Sequence, residues 1–212
     1  MEQHELQKDL EDALVELRKT EERKFDQTVD LIINLQKFDP KRNQLSLFVN
    51  MPFRIKDKKI CAFLEAQHKS IETITPNDFK NYSDKKSLKK LVKKFDFFIA
   101  QASVMPKVAS VFGKVLGPAG KMPSPQLGIL MDVNDKNIDD VKKKIENSLK
   151  IRIKEASIKL AIGKQSMKNE EIIENVLSVY NAVMKELPKE KENIKNLELK
   201  FTMTKPQKIK IK

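Results

Sequence analysis

The chain encodes an α+β protein of two domains. Near both ends, apolar residues alternate with polar ones: Val29, Leu31, Ile33 and Leu35 at the start, Leu197, Leu199, Phe201 and Met203 at the end. One-sided alternation of this kind belongs to antiparallel strands with one face on a core and the other open. The middle of the chain instead alternates short apolar runs with helical stripes, the pattern of a small parallel sheet. Two architectures in one chain predict two domains, and spacing alone leaves open which end strands pair.

Leu6, Leu10, Ala13, Leu14 and Leu17 recur at helical spacing, which predicts an amphipathic helix over residues 3–20. The first alternating strand follows and closes at the Asp39–Pro40 turn. Leu45, Leu47 and Val49 alternate before Pro52, and Ile60 to Leu64 reads as a further short strand. Ile71 and Ile74 fit a short strand, with a helix start at Pro76–Asn77–Asp78. Leu88, Leu91, Val92 and Phe95 mark a helix with lysines crowding its outer face, and Phe97 to Ala100 is a buried strand. Val104, Val108, Phe112 and Val115 continue as a helix. Gly113, Gly117, Gly120 and Gly128, with Pro118, Pro123 and Pro125, then predict an ordered loop in a chain of only five glycines. Ile138, Val141, Ile145 and Leu149 give another helix. Ile151 and Ile153, then Ile158, Leu160 and Ile162, return to alternation that ends at Gly163. The strongest helical stripe runs from Ile172 to Leu187, with Glu170 and Glu171 in its first turn, where the helix dipole favours acids, and Pro188 as its stop.

Composition excludes several classes. Hydrophobic residues at 40% and charged residues at 34% fit a packed, highly charged protein. No run of eighteen apolar residues exists, so no bilayer span is predicted. The start MEQHELQKDLEDAL lacks the basic end and apolar centre of a signal peptide, which predicts a cytoplasmic protein. Cys61 stands alone between Ile60, Ala62 and Phe63 and reads as a small core residue. With only His4 and His68 beside it, no zinc spacing forms, and neither metal nor cofactor is expected.

The net charge of +12 attracts polyanions. Residues 1–64 carry no net charge, whereas 65–150 and 151–212 carry +6 each. Membrane binding would need a basic helix ending in bulky apolar residues, and the basic runs here are not built that way; nucleic acid is the favoured partner. A generally lysine-rich composition accounts for part of the excess. Lys80, Lys85, Lys86, Lys89, Lys90, Lys93 and Lys94 fall within fifteen residues, and 86, 89, 90 and 93 share one helical face. That face is equally well a solvated surface or an RNA contact.

Enzymatic readings find little support. A Walker-type loop ending at Gly120–Lys121 would need glycine at 115 and a hydroxyl at 122, where Val115 and Met122 stand. The dinucleotide glycine pattern is also incomplete. Asp139–Asp140 and Glu170–Glu171 read as helix starts rather than acid–base pairs. The end strands are more informative. With the apolar phase turned to the core, Thr28 and Asp30 on one strand and Lys200, Thr202 and Thr204 on the other face outward. A helix-free face of hydroxyls and lysines suits phosphate and ribose 2′-OH contacts. A nucleotide-binding enzyme of the middle region and a general basic nucleic-acid-binding protein remain the rival readings.

Five stretches, FDQTVDLIINL (25–35), DFFIAQASVMP (96–106), LGPAGKMPSP (116–125), AIGKQSMKNEEIIENV (161–176) and LKFTMTKP (199–206), resemble in order the large-subunit ribosomal protein one family, archaeal members above all. The resemblance implies a discontinuous α+β sandwich with an antiparallel sheet, formed by residues 1–64 and 151–212, that binds rRNA. It implies an inserted Rossmann-like α/β domain, residues 65–150, without a cofactor. Family members sit in the mobile stalk beside the tRNA exit site. The partners implied are large-subunit rRNA, deacylated tRNA and the protein's own mRNA, whose translation it represses. The resemblance further implies no membrane partner and a monomer off the ribosome. The family's RNA-contact motif falls on Phe25, Asp26, Thr28, Thr202 and Met203, and Gly163 matches a family glycine. Lys24, Lys41, Arg42, Lys164, Lys200 and Lys205 are expected to supply charge. Three departures stand out: Thr204 replaces a family glycine, Phe53–Arg54 replaces a glycine-containing turn, and the segment after Cys61 is short enough to shorten or remove a helix.

Overall fold

The computed structural model describes residues 2–20, 23–40, 45–82, 84–131, 133–153 and 155–209. In chain order the elements are α1 (Glu2–Arg18), β1 (Thr28–Leu35), β2 (Ser46–Asn50), β3 (Ile60–Phe63), β4 (Glu72–Ile74), a 3-10 turn (Pro76–Tyr82), α2 (Lys85–Lys94) and β5 (Phe97–Gln101). They continue as α3 (Met105–Ala119), β6 (Ile129–Leu130), α4 (Asp135–Asn147), β7 (Ser148–Arg152), β8 (Ser157–Lys164), α5 (Asn169–Glu186), a second 3-10 turn (Glu190–Asn193), β9 (Ile194–Phe201) and β10 (Gln207–Ile209). The fold is mixed α+β. The chain divides into two compact units, Met1–Ile55 with Asn147–Lys212, and Lys56–Glu146.

The first unit is built on an antiparallel sheet in the order β10-β9-β1-β8. β1 is hydrogen-bonded on both sides: Val29, Leu31 and Ile33 stand opposite Phe201, Leu199 and Leu197 on β9, and opposite Gly163, Leu160 and Ile158 on β8. The pairing that spacing left open is thus between strands from the two ends of the chain. The apolar phase of β1 and β9 is buried against Leu10, Leu14 and Leu17 of α1 and Ile172, Val176 and Val183 of α5. Each such fully buried side chain contributes about 1.5–3 kcal/mol. β2 and β7 form a separate antiparallel ribbon that adds Leu47, Val49 and Ile151 to this core.

In the second unit all four strands are parallel, in the order β4-β3-β5-β6. Cys61, Phe63, Phe98 and Ala100 face α2 and α3, where Phe63 and Phe112 rings lie 4.9 Å apart. Ile60, Ala62, Ile99 and Leu130 face Ile138 and Ile145 of α4. Covering on both faces explains why these strands read as unbroken apolar runs.

Three expectations change. The boundaries predicted at residues 64 and 150 fall at Ile55 and Glu146, because β3 pairs with β4 and β5 in the parallel sheet and β7 pairs with β2 of the first unit. The glycine-rich stretch 113–125 is helical as far as Ala119, since Val108, Phe112 and Leu116 bury one face of α3. Only Gly120 takes positive φ, 71°, as the left-handed cap that stops α3. Asp139–Asp140 lie inside α4, which starts at Asp135. The segment between β3 and β4 holds no helix.

Asn175, fully buried on α5, fastens the segment that follows β2. Its Nδ2 donates to the carbonyls of Ile162 (2.9 Å) and Phe53 (3.1 Å), while its Oδ1 accepts the Phe53 N–H (3.0 Å). Replacing it by leucine strands buried backbone groups. Asn175→Leu is expected to lower the unfolding free energy by about 2–4 kcal/mol in urea denaturation. A near-wild-type midpoint would show that these bonds are dispensable.

Candidate nucleic-acid interface

β1 begins at the end of the sheet where β8 and β9 finish, so three separate stretches converge there. Lys24, Phe25, Asp26 and Thr28 lead into β1, Gly163 and Lys164 close β8, and Lys200, Thr202, Met203 and Lys205 close β9. The sequence-predicted residues are therefore brought together, except Lys41 and Arg42, which lie outside the described residues.

Most polar groups of this cluster are committed to one another. The Thr28 N–H donates to Thr202 Oγ1 at 3.0 Å, which joins β1 to the turn after β9. The Phe201 N–H donates to Thr204 Oγ1 at 2.9 Å. Both threonines therefore cap the end of β9, which stops at Phe201, and do not extend an outward row of free hydroxyls. The Asp26 carboxylate accepts from the Ser166 N–H and Oγ–H, each at 3.0 Å. Its charge is tied to the β8–α5 loop and does not act as a free contact. Gly163 is buried, and a Cβ there would meet Ile172 Cγ1 at 3.2 Å. Its place is in the packing of β8 on α5, not at the surface expected for a binding residue.

Four residues that hold the cluster went unpredicted. Gln27, almost wholly buried, accepts the Met203 N–H at 3.0 Å and donates through Nε2 to Gln165 Oε1 at 3.2 Å. Its signal was present, because an amide stands in the inward, odd-numbered phase of β1. Ser166 holds Asp26 as described. Arg18, at the end of α1, donates to Asn169 Oδ1 (2.7 Å) and to the carbonyls of Gln165 (2.9 Å) and Met167 (2.6 Å). Nothing in a helix-terminal arginine announces a partner about 150 residues away.

What remains outward is apolar or cationic. Phe25 is 51% exposed and Met203 61%, two of the four exposed large hydrophobic side chains among the described residues. Lys24 and Lys205 are exposed, and Lys164 and Lys200 half-buried. An open cleft of about 440 Å³ is lined by Arg18, Arg23, Lys24 and Phe25, and a second of about 410 Å³ by Arg23, Gln27, Met203 and Lys205. On the neighbouring open sheet face Asp30 stands opposite Lys200. Burial pushes the Asp30 carboxyl above its ordinary range, and Lys200 offsets part of that.

The glycine-rich stretch of the second unit is not arranged to cradle a nucleotide phosphate. Lys121, the lysine of the glycine-rich stretch, donates to the carbonyls of Val92 and Phe95 at 2.7 Å each, capping α2. Burial holds its ammonium below the usual lysine range. At the carboxyl ends of β3 and β5, where doubly wound sheets hold ligands, the Glu65 carboxylate accepts from Ser103 Oγ at 2.7 Å. Among the described residues no His, Cys, Asp and Glu group could hold a metal ion, and no helix is long and apolar enough to cross a membrane.

A split α+β unit whose two sequence segments pair through β1, β8 and β9, with a cationic end where they meet, is thus the class of protein that fold and site define. The family model described as Ribosomal protein L1p/L10e family matches residues 17–205. The chain is 32% identical to the large ribosomal subunit protein uL1 of Nanoarchaeum equitans, over 91% of this chain and 95% of the relative. The uL1 proteins of Pyrococcus abyssi (32%, covering 89% of each chain) and Thermofilum pendens (34%, covering 96% of this chain and 92% of the relative) are similar. The chain belongs to the Ribosomal protein L1p/L10e family, a family of structural ribosomal proteins and not of enzymes.

Asp30 supplies a pH test. Its raised pKa means that the folded state binds a proton more readily than the unfolded chain, so the ionised carboxylate costs stability at neutral pH. Asp30→Asn is expected to raise the melting temperature at pH 7. The gain should shrink as the pH falls toward the ordinary carboxylate range of about 4. A gain that grows on acidification would contradict the burial argument.

Proposed function

We propose that the chain is an RNA-binding structural component of the large ribosomal subunit that grips large-subunit rRNA directly through the first unit. The observation that carries this reading is the convergence of β1, β8 and β9 ends, which turns Phe25 and Met203 outward amid arginines and lysines. Phe25 offers a stacking surface for an unpaired base, Met203 an apolar contact, and the ammonium and guanidinium groups meet phosphates. Thr28 and Thr202 act chiefly by fixing the backbone that the RNA meets.

In this reading the first unit is the rRNA-binding domain and the second an inserted Rossmann-like domain without a cofactor. The protein works in the cytoplasm as part of the mobile stalk near the tRNA exit site and helps release deacylated tRNA. The same grip on a similar element in its own mRNA represses translation. Family membership and the five ordered motifs support these assignments.

Phe25→Ala is expected to weaken binding to a large-subunit rRNA fragment by about 1–3 kcal/mol, the range for one base–aromatic stack. Its melting temperature should stay at the wild-type value, because the ring is half exposed. Thr202→Val should cost at least about 1 kcal/mol of affinity and also lower stability, since it strands the Thr28 N–H. Unchanged rRNA affinity in both variants would remove the proposed grip.

A further inference from the structure

The lysine distribution of the second unit is not uniform. α2 holds six lysines and no acidic residue in ten positions. α4, on the other side of the same sheet, holds four lysines and four acidic residues in thirteen. A lysine-rich composition alone would leave both helices alike.

Lys86, Lys89, Lys90 and Lys93 of α2 take no part in its packing. Leu88, Leu91 and Phe95 supply its buried side. Lys94 is engaged with Glu72 and lies 4.8 Å from the centre of the Phe95 ring. Lys86, Lys89, Lys90 and Lys93 are exposed, share one face and have no carboxylate partner among the described residues. Lys86 sits in the first turn, where the helix dipole disfavours a cation. These four ammoniums span roughly 10 Å along the axis, about one Debye length at physiological salt, so an approaching polyanion meets them together. The face carries no bulky apolar residue to enter a lipid layer.

We propose that the Lys86, Lys89, Lys90 and Lys93 face of α2 is a second RNA contact, one that binds the phosphodiester backbone without regard to sequence. The inference rests on the RNA-binding reading above and adds a site in the other unit. Tethered in one chain to the first-unit grip, even a weak contact of this kind raises overall affinity through effective concentration.

The test uses the full chain, a quadruple Lys→Gln variant at these positions and a quadruple Lys→Arg variant. Each is titrated over a range of salt with an rRNA fragment, with an unrelated double-stranded RNA, and with phosphatidylserine–phosphatidylcholine vesicles. Glutamine has nearly the helix propensity of lysine, so melting temperatures should match. The expected result is that the Gln variant loses about 2–4 from the slope of log affinity against log salt, at about 0.9 per phosphate. Its binding to unrelated RNA should fall at least about tenfold at low salt, while the Arg variant keeps the wild-type slope. A Gln variant with the wild-type slope on both RNAs overturns the proposal while leaving the first-unit grip intact. Loss confined to the vesicles overturns it in favour of a lipid contact. A wild-type chain that binds no rRNA overturns the underlying reading, and this proposal with it.

Discussion

The double pairing of β1 is the constraint on which the first unit depends. Its neighbours β8 and β9 both come from beyond the second unit in sequence, so the sheet closes only when the chain has returned. Thr28 and Thr202, 174 residues apart in sequence, then meet through one hydrogen bond. Loop-closure entropy grows only with the logarithm of length, and a folded insert adds little more to it, so so long a detour is tolerated. The register leaves no freedom. A one-residue slip of β1 would turn Val29, Leu31 and Ile33 to the open face and bury Asp30 and Asn34. The alternation that makes these strands recognisable is thus the same feature that fixes which residues reach the candidate interface.

The interface inherits its rigidity from that register. Arg18 holds the Gln165–Met167 loop, Ser166 holds Asp26, and Gln27 holds Met203, so each of the three converging stretches is fastened to another. Groups ordered before binding do not have to be ordered during it, which lowers the entropic cost of association. Asp26, which lines one of the cationic clefts, has its carboxylate engaged by two donors from the β8–α5 loop and is held there.

Much of this was legible in the sequence, and the failures have a common cause. Periodicity reports which side of an element is buried, and so found β1, β9, α1 and α5. It does not report what lies on the other side of the burial. Ile60 to Leu64 reads as a strand, but an unbroken apolar run names no partner, and only the pairing of β3 with β4 and β5 assigns it to the second unit. The glycines and prolines of 113–125 predict a loop because helix-interior glycines cost about 1 kcal/mol each. Burial of Val108, Phe112 and Leu116 outweighs that cost as far as Gly120. At the candidate interface, family resemblance points to Phe25, Thr28, Thr202 and Met203. It could not say that the Thr202 hydroxyl is spent on Thr28, because hydrogen-bond partners distant in sequence leave no local trace.

The remaining free chemistry bears on how RNA would be read. Sequence-specific readout of base edges relies on amide, carboxylate or guanidinium groups free to form paired hydrogen bonds. Here Gln27, Gln165, Asp26 and Arg18 already bond to one another or to nearby backbone. What faces outward is a phenyl ring, a thioether, ammoniums, the Arg23 guanidinium and the backbone of turns held in place. Such groups stack, fill and neutralise, and all three depend on the shape of the RNA more than on its letters. Discrimination must then come from how well a folded RNA presents an unstacked base and its phosphates to a rigid surface. A protein end with few uncommitted polar side chains suits a partner whose own tertiary fold carries the specificity.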